Sequence, residues 1–451
     1  MHLPLLLLPL LLRAASPFAA PPPFAVLSAP PPSTRLLSAK IVEELAEDNA
    51  LLRNEIVRKD AIIEGLLDTL SAAAMSTSLT AAARGTPLTD LCHIGKEACD
   101  AVTPMLLAFY EKIADQRHGG SSKLKADATY FTIADGIVQH MMIEYLFKGK
   151  FGQIVGEEDE SVINIQTKPF TVDDLQVPEE FNAIVESTLA KVTALAGRID
   201  GAAFKEMTAF VDPIDGTREF ATARGEYVTI LLGFADARGQ PAAGVMYRPL
   251  TEPVTWAAGA KAEECVMGEL DMAEEPKPKG MLVTDARVSP FINGLIDELG
   301  YERVSSVASG NRAMMLLEGK GGAYIRDTGG FAKWDTCAPQ AVLEAYGGTM
   351  AKLPPFLKDQ SLESYTHLKT TKNLDFAPNQ IHLTLSNVKD KKQYVKGVDV
   401  LYQDVEGVKE YSCVQGLVAV DSKAMADLGT IHEGMMHMMV EGGPWAKPFY
   451  N

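Results

Sequence analysis

Residues Ala209–Phe220 read AFVDPIDGTREF. Three apolar residues lead into two acids, Asp212 and Asp215, which flank Pro213 and Ile214. Gly216 and Thr217 follow. An ordinary turn needs one acid and one glycine, so this corner carries more chemistry than a turn requires. Proline fixes φ near about −65° and brings no N–H, which stiffens the bend so that both acids face one side. Glycine lets backbone approach a ligand closely, and a threonine opening the next helix offers a hydroxyl and an N–H.

Three other places set acids at the ends of apolar segments. They are Asp135 in TIADGIVQ, the pair Glu157–Glu158 in IVGEEDE, and Asp335 in KWDTCAPQ. In layered α/β proteins the strand ends face the crevice where ligands bind. Converging carboxylates repel one another and persist when cations sit among them. An all-oxygen donor set without His or Cys selects Mg²⁺, with Mn²⁺ as an alternative, over zinc. Two or three such ions, about 4 Å apart, are a standard device for moving a phosphoryl group to water.

The surroundings of the corner support that reading. VTILLGF (Val228–Phe234) is a near-continuous apolar run, as expected for a strand covered on both faces. Leu91, Ile94, Ala98, Val102, Leu106 and Tyr110 repeat at helical spacing, and TIADGIVQHMMIEYLFKG predicts a second helix. Residues 167–206 resemble an insert with helical segments. Strands and helices then alternate to residue 351, which argues for a layered α/β body. The stretch from about 352 to 411 is polar and aperiodic and has the character of an insertion.

The chain's 451 residues allow one large two-lobed body with appendages, and 47% hydrophobic content supplies its core. A net charge of −17 speaks against a nucleic-acid polymer as partner but leaves room for a small anion drawn in by metal. The 5 cysteines are widely spaced without a C-x-x-C, so reduced thiols are expected. The boundaries expected are a targeting leader at 1–38, a coiled-coil helix at 39–74 and a linker at 75–87. An N-terminal metal-binding lobe follows at 88–250, and a C-terminal lobe at 251–451. In the leader, an apolar run of about ten residues precedes small residues, then a Ser/Pro/Arg stretch without acids. This fits entry to the secretory pathway followed by a plastid, or residence in the ER or Golgi lumen. No segment is long enough for a stable membrane span. Between 42 and 70 apolar residues keep a heptad seam, with Asn49 at an a position and Lys59 at a d position. The seam suits a parallel homodimer; a single amphipathic helix or a spacer fits the same residues.

In order along the chain, IADGIVQ, IVGEED, FVDPIDGTREF and KWDTCAPQAVLEAYGG resemble the signature of the lithium-sensitive, magnesium-dependent phosphatases. That superfamily includes inositol monophosphatase, inositol polyphosphate 1-phosphatase and 3′(2′),5′-bisphosphate nucleotidase. The wording is most similar to the nucleotidases. The resemblance implies an inositol monophosphatase/fructose-1,6-bisphosphatase-like α-β-α-β sandwich and a small phosphorylated substrate. It implies metal held by Glu157, Asp212, the Ile214 carbonyl, Asp215 and Asp335, with Glu158 close by. Asp135 and Thr217 are the implied catalytic pair that orients and deprotonates water. Gly216, Thr284, Arg287, Ala308 and Arg312 are the implied substrate-binding positions, the two arginines facing a second phosphate.

The sequence departs from that pattern where substrate is held. Arg287 stands for a histidine, Arg312 for a lysine and Ala308 for a glycine. An acidic D-x-x-G turn is missing where the insertion sits. The activity implied is removal of the 3′-phosphate of adenosine 3′,5′-bisphosphate. The alternatives are an inositol polyphosphate 1-phosphatase and, from another class, a catalytically silent anion-binding scaffold.

Overall fold

The computed structural model describes residues 87–118, 133–157, 177–274, 280–285, 288–327, 331–369, 382–383, 411–413, 416–438 and 448–449. The leader, the heptad segment, Glu158 and Arg287 lie outside the described residues.

The first helix, α1 (Pro87–His118), buries the face expected from its spacing: Leu91, Ile94, Ala98, Val102 and Leu106 all join one core. Helical residues 133–140 run into a π-helical turn, Met141–Phe147, where the sequence predicts unbroken α-helix. Strand β1 (Gln153–Gly156) follows, then helix α2 (Asn182–Ala196). α2 is one of the helical segments expected between 167 and 206, and it is part of the packed body. It packs along α1, Val192 is buried, and Phe181 at its start stacks on Phe109 with ring centroids 4.2 Å apart. Its weak amphipathic pattern hid this, because only a narrow stripe meets the body.

Next come β2 (Thr208–Asp215), the short helix α3 (Thr217–Ala221), β3 (Thr229–Ala235), β4 (Pro241–Arg248), β5 (Thr255–Ala260) and β6 (Cys265–Glu269). With β1 they form a six-stranded sheet in sequential order, parallel between β1 and β2 and antiparallel thereafter. This sheet runs on past residue 250. Every residue of β3 is buried. Ile230, Leu232 and Phe234 face α1, while Leu231 faces the opposite core, which is the two-residue alternation of a strand covered twice.

The second half supplies β7 (Met281–Thr284), α4 (Pro290–Leu299), β8 (Glu302–Ser305), α5 (Ser309–Leu317), β9 (Ala323–Arg326), β10 (Phe331–Ala332), α6 (Trp334–Ala345) and β11 (Thr349–Lys352). Then come α7 (Leu353–Asp359), β12 (His382–Leu383), β13 (Ser412–Cys413), β14 (Leu417–Val420), α8 (Leu428–Met438) and β15 (Pro448–Phe449). A five-stranded mixed sheet has the order β11-β14-β9-β7-β8. α7 and the strand-like stretch after it are packed, with Leu353, Phe356, Tyr365 and His367 buried, so the irregular segment expected from 352 starts with well-anchored chain.

The layers are α-β-α-β-α. α1 and α2 cover the first sheet. α5 and α6 fill the space between the sheets, with Ala313, Met314, Ala338 and Val342 meeting Leu231, Met246 and Ala257. α4 and α8 cover the second sheet through Phe291, Leu295 and Ile431. α6 lies so close that a Cβ on Gly244 would be 2.7 Å from the Ala338 carbonyl oxygen. That approach plants the N-terminal end of α6, and Asp335 with it, against the sheet that carries Asp212. Among the described residues no helix is long and apolar enough to cross a membrane.

Candidate active site

Asp212 and Asp215 sit at the end of β2, where the register with β3 slips. Asp212 stands opposite Leu231 and Asp215 opposite Thr229, three steps on one strand against two on the other. Pro213 occupies this bulge, where a missing N–H breaks no ladder bond. Ile214 turns its side chain into the core. Gly216 then takes φ 100°, a backbone conformation that strains any side chain, and starts α3 with Thr217.

Asp335 enters from the other direction, in the first turn of α6. Its Oδ2 accepts the Ala332 N–H at 2.6 Å. One carboxylate oxygen from each of Asp212, Asp215 and Asp335 lies within 4.8 Å of the others. The structure thus gathers three of the acids expected to hold metal. Glu157, just past β1, completes the group electrostatically, because its charge acts on Asp212.

Asp215 is held by three donors. Ser309 N–H reaches Oδ1 at 3.0 Å, while Gly310 N–H and the Thr229 hydroxyl reach Oδ2, each at 2.7 Å. Burial nonetheless leaves its carboxyl above the ordinary range. Asp212 is in a harsher place. It is 1% exposed, and no amide or hydroxyl of the described residues donates to either oxygen. Burial, then the charges of Glu157, Asp215 and Asp335, push its carboxyl well above the usual range. Burial and the Asp215 charge push Asp335 up to about 6. A buried carboxylate ringed by acids is costly unless a cation compensates it. The donor set is hard oxygen throughout, which fits a hard divalent cation.

Asp135 is 2% exposed on helical residues 133–140. That helix sits on the end of β1 through Gln139, whose Oε1 lies 2.5 Å from where a Cβ on Gly156 would be. Glycine at this strand end leaves room for the Gln139 amide, so the helix that carries Asp135 lies against the residue before Glu157.

Two of the expected substrate positions, Thr284 and Arg312, are engaged by internal partners. Thr284 is buried; its hydroxyl donates to the Asp285 carbonyl at 3.1 Å and accepts from Arg303 Nε at 2.9 Å. Arg312, expected to face a second phosphate, pairs with Asp285 Oδ1 at 2.7 Å and lies over the Tyr324 ring. Arg326 approaches Asp285 Oδ2 at 3.5 Å. Arg312 and Arg326 both lower the Asp335 carboxyl from where burial would put it, so both lie in electrostatic range of the acids. Ala308 precedes α5 with φ 64°, uncommon for alanine. Sequence reasoning missed Thr229, Ser309, Gly310, Arg303 and Arg326. Of these only Ser309-Gly310 carried a signal, a small-residue pair ahead of a helical run.

Residues 93–355, more than half of the chain, match the Inositol monophosphatase family, and the protein belongs to that family. Human 3′(2′),5′-bisphosphate nucleotidase 1 is 28% identical over 199 residues, covering 41% of this chain and 63% of that one. The 3′(2′),5′-bisphosphate nucleotidase CysQ of Salmonella typhimurium is 27% identical over 175 residues, covering 38% and 63%. The chain therefore spans less than two-thirds of the length of these curated relatives. An inositol monophosphatase structure from Zymomonas mobilis aligns with 13% identity and a TM-score of 0.44, covering 78% of this chain and 99% of that one.

Proposed function

We propose that the protein is a Mg²⁺-dependent, lithium-sensitive phosphoric monoester hydrolase. Its substrate in this reading is adenosine 3′,5′-bisphosphate, from which it removes the 3′-phosphate. The observation that carries the reading is the Asp212–Asp215–Asp335 cluster, with Asp212 buried among acids and receiving no amide or hydroxyl donor from the described residues. The names of the matched relatives support the nucleotide over other phosphoesters.

Glu157, Asp212, Asp215, Asp335 and the Ile214 carbonyl would hold the ions. When bound, Mg²⁺ supplies positive charge to the phosphoryl oxygens and makes water more acidic. Asp135 and Thr217 orient the attacking water, and Asp135 takes its proton. The P–O bond to the ribose breaks in line as the water oxygen bonds phosphorus, and the 3′-oxygen leaves taking a proton from solvent water, while the proton held by Asp135 returns to solvent. Gly216 leaves room for the phosphate at the turn. Arg312 and Arg326, with the Asp285 carboxylate giving way as their partner, and Arg303 beside them offer charge-assisted bonds to the second phosphate.

A phosphate-release assay tests this. Adenosine 3′,5′-bisphosphate should be hydrolysed with Mg²⁺, and Li⁺ should inhibit. Faster release from inositol 1,4-bisphosphate would reassign the substrate to the inositol polyphosphates. No release from any phosphomonoester would leave the scaffold reading.

A further inference from the structure

We propose that Ser309 is a positioning residue that holds Asp335 and Asp215 in register by replacing a helix hydrogen bond that α6 cannot make. The inference rests on the metal reading above.

Pro339 lies inside α6. In an α-helix the N–H of residue 339 would bond the carbonyl of residue 335, four positions earlier. Proline has no N–H, so the carbonyl of Asp335 loses that donor, and the ring crowds the same carbonyl. Such a gap is where a helix bends. Here it falls on the residue whose side chain enters the acid cluster.

The Ser309 hydroxyl fills the gap. It donates to the Asp335 carbonyl at 2.6 Å. The backbone N–H of the same serine donates to Asp215 Oδ1 at 3.0 Å. One residue thus fastens the main chain of one acid and the side chain of another, which come from α6 and β2. The φ of 64° at Ala308 sets the chain direction into Ser309, and the next N–H, from Gly310, takes the second Asp215 oxygen at 2.7 Å. Outer groups that orient ligands in this way typically govern metal affinity by about 10–100-fold.

The experiment is Mg²⁺ titration calorimetry on the full chain, with wild type, Ser309→Ala, Ser309→Thr and the double variant Ser309→Ala/Pro339→Ala. Ser309→Ala should weaken Mg²⁺ by about 10-fold or more. Ser309→Thr should bind as wild type. The double variant should recover affinity, because alanine at 339 restores the N–H that the Asp335 carbonyl lacks; a purely structural role for Ser309 predicts no such recovery. Circular dichroism and metal-free melting establish that each variant folds, and Ser309→Cys, a weak donor, replaces alanine if that variant does not. Unchanged Mg²⁺ affinity in Ser309→Ala, or a double variant no tighter than the single, overturns the proposal while the metal reading stands. Absence of Mg²⁺ binding to wild type overturns both.

Discussion

Gly216 and Ala308 face each other at the acid cluster, both with positive φ, 100° and 64°, and a Cβ added to Gly216 would lie 3.3 Å from the Ala308 methyl. The two turns set the chain direction into the residues that follow them, Thr217 and Ser309, and the Ser309 N–H reaches Asp215. Glycine takes such a conformation freely, whereas a non-glycine residue held there costs about 1–3 kcal/mol.

Ala308→Gly should therefore stabilise the protein. The relief of strain exceeds the extra chain entropy, of about 0.5–1 kcal/mol, that glycine loses on folding. The midpoint of urea unfolding should rise. An equal or lower midpoint would mean that Ala308 is not strained.

Gly310→Ala should do the opposite. Its Cβ would lie 2.5 Å from both Leu231 Cδ2 and Thr229 Oγ1. Thr229 is the side chain that holds Asp215, so the clash moves a donor as well as core packing. Overpacking of this kind costs about 1–3 kcal/mol. Chemical denaturation reads the stability loss, and Mg²⁺ titration should show weakened binding alongside it.

Asp212→Asn separates stability from function. In the metal-free protein, Asp212 is a buried acid pressed by Glu157, Asp215 and Asp335, so a neutral amide removes repulsion. Melting in chelator at about pH 7.5 should move upward, because the charged form is the one penalised there. Mg²⁺ affinity should fall by more than about 100-fold, because a group that would hold the ion is lost and an outer partner alone costs about 10–100-fold. A lower metal-free melting temperature would show that Asp212 contributes a favourable interaction of its own.

The pH dependence follows from Asp335. Its carboxyl titrates at about 6 in the folded protein, above the ordinary value. Between about 3.9, the unfolded value, and that raised value, the folded state binds the proton more tightly. The contribution of this group to metal-free stability therefore falls as pH rises through the window and is recovered as pH drops. Metal reverses the trend, since ligands must be deprotonated, so the gain in melting temperature from Mg²⁺ should grow from pH 5 to pH 7. Differential scanning fluorimetry with and without Mg²⁺ measures both slopes, and a Mg²⁺ shift independent of pH would contradict the assignment.

Much of the site was legible because its residues lie beside strong local patterns. The apolar run before Asp212 and the VTILLGF strand announce a sheet, and Pro213 marks the bulge that slips Asp215 past Thr229. Strand alternation is a short-range property, so sequence shows it directly. The arginine pocket was harder to see. Arg312 looked like a free cation, but its partner Asp285 is 27 residues earlier and approaches it through the second sheet. Arg326 ends a strand, where an arginine is unremarkable until Asp285 is found at 3.5 Å. Likewise the weak pattern of α2 announces a helix but not its place; only contact with α1 reveals it as a wall of the body.

The sequence by itself determined which acids exist, which segments carry them, and that a proline stands four positions after Asp335. Those facts depend on residue type and on spacings of a few positions. Only the tertiary structure decided that the Asp212, Asp215 and Asp335 carboxylates meet within 4.8 Å and that Ser309 supplies the missing bond. The acids are 120 or more residues apart between β2 and α6, and the packing of α5 and α6 between two sheets, not any local preference, sets their separation.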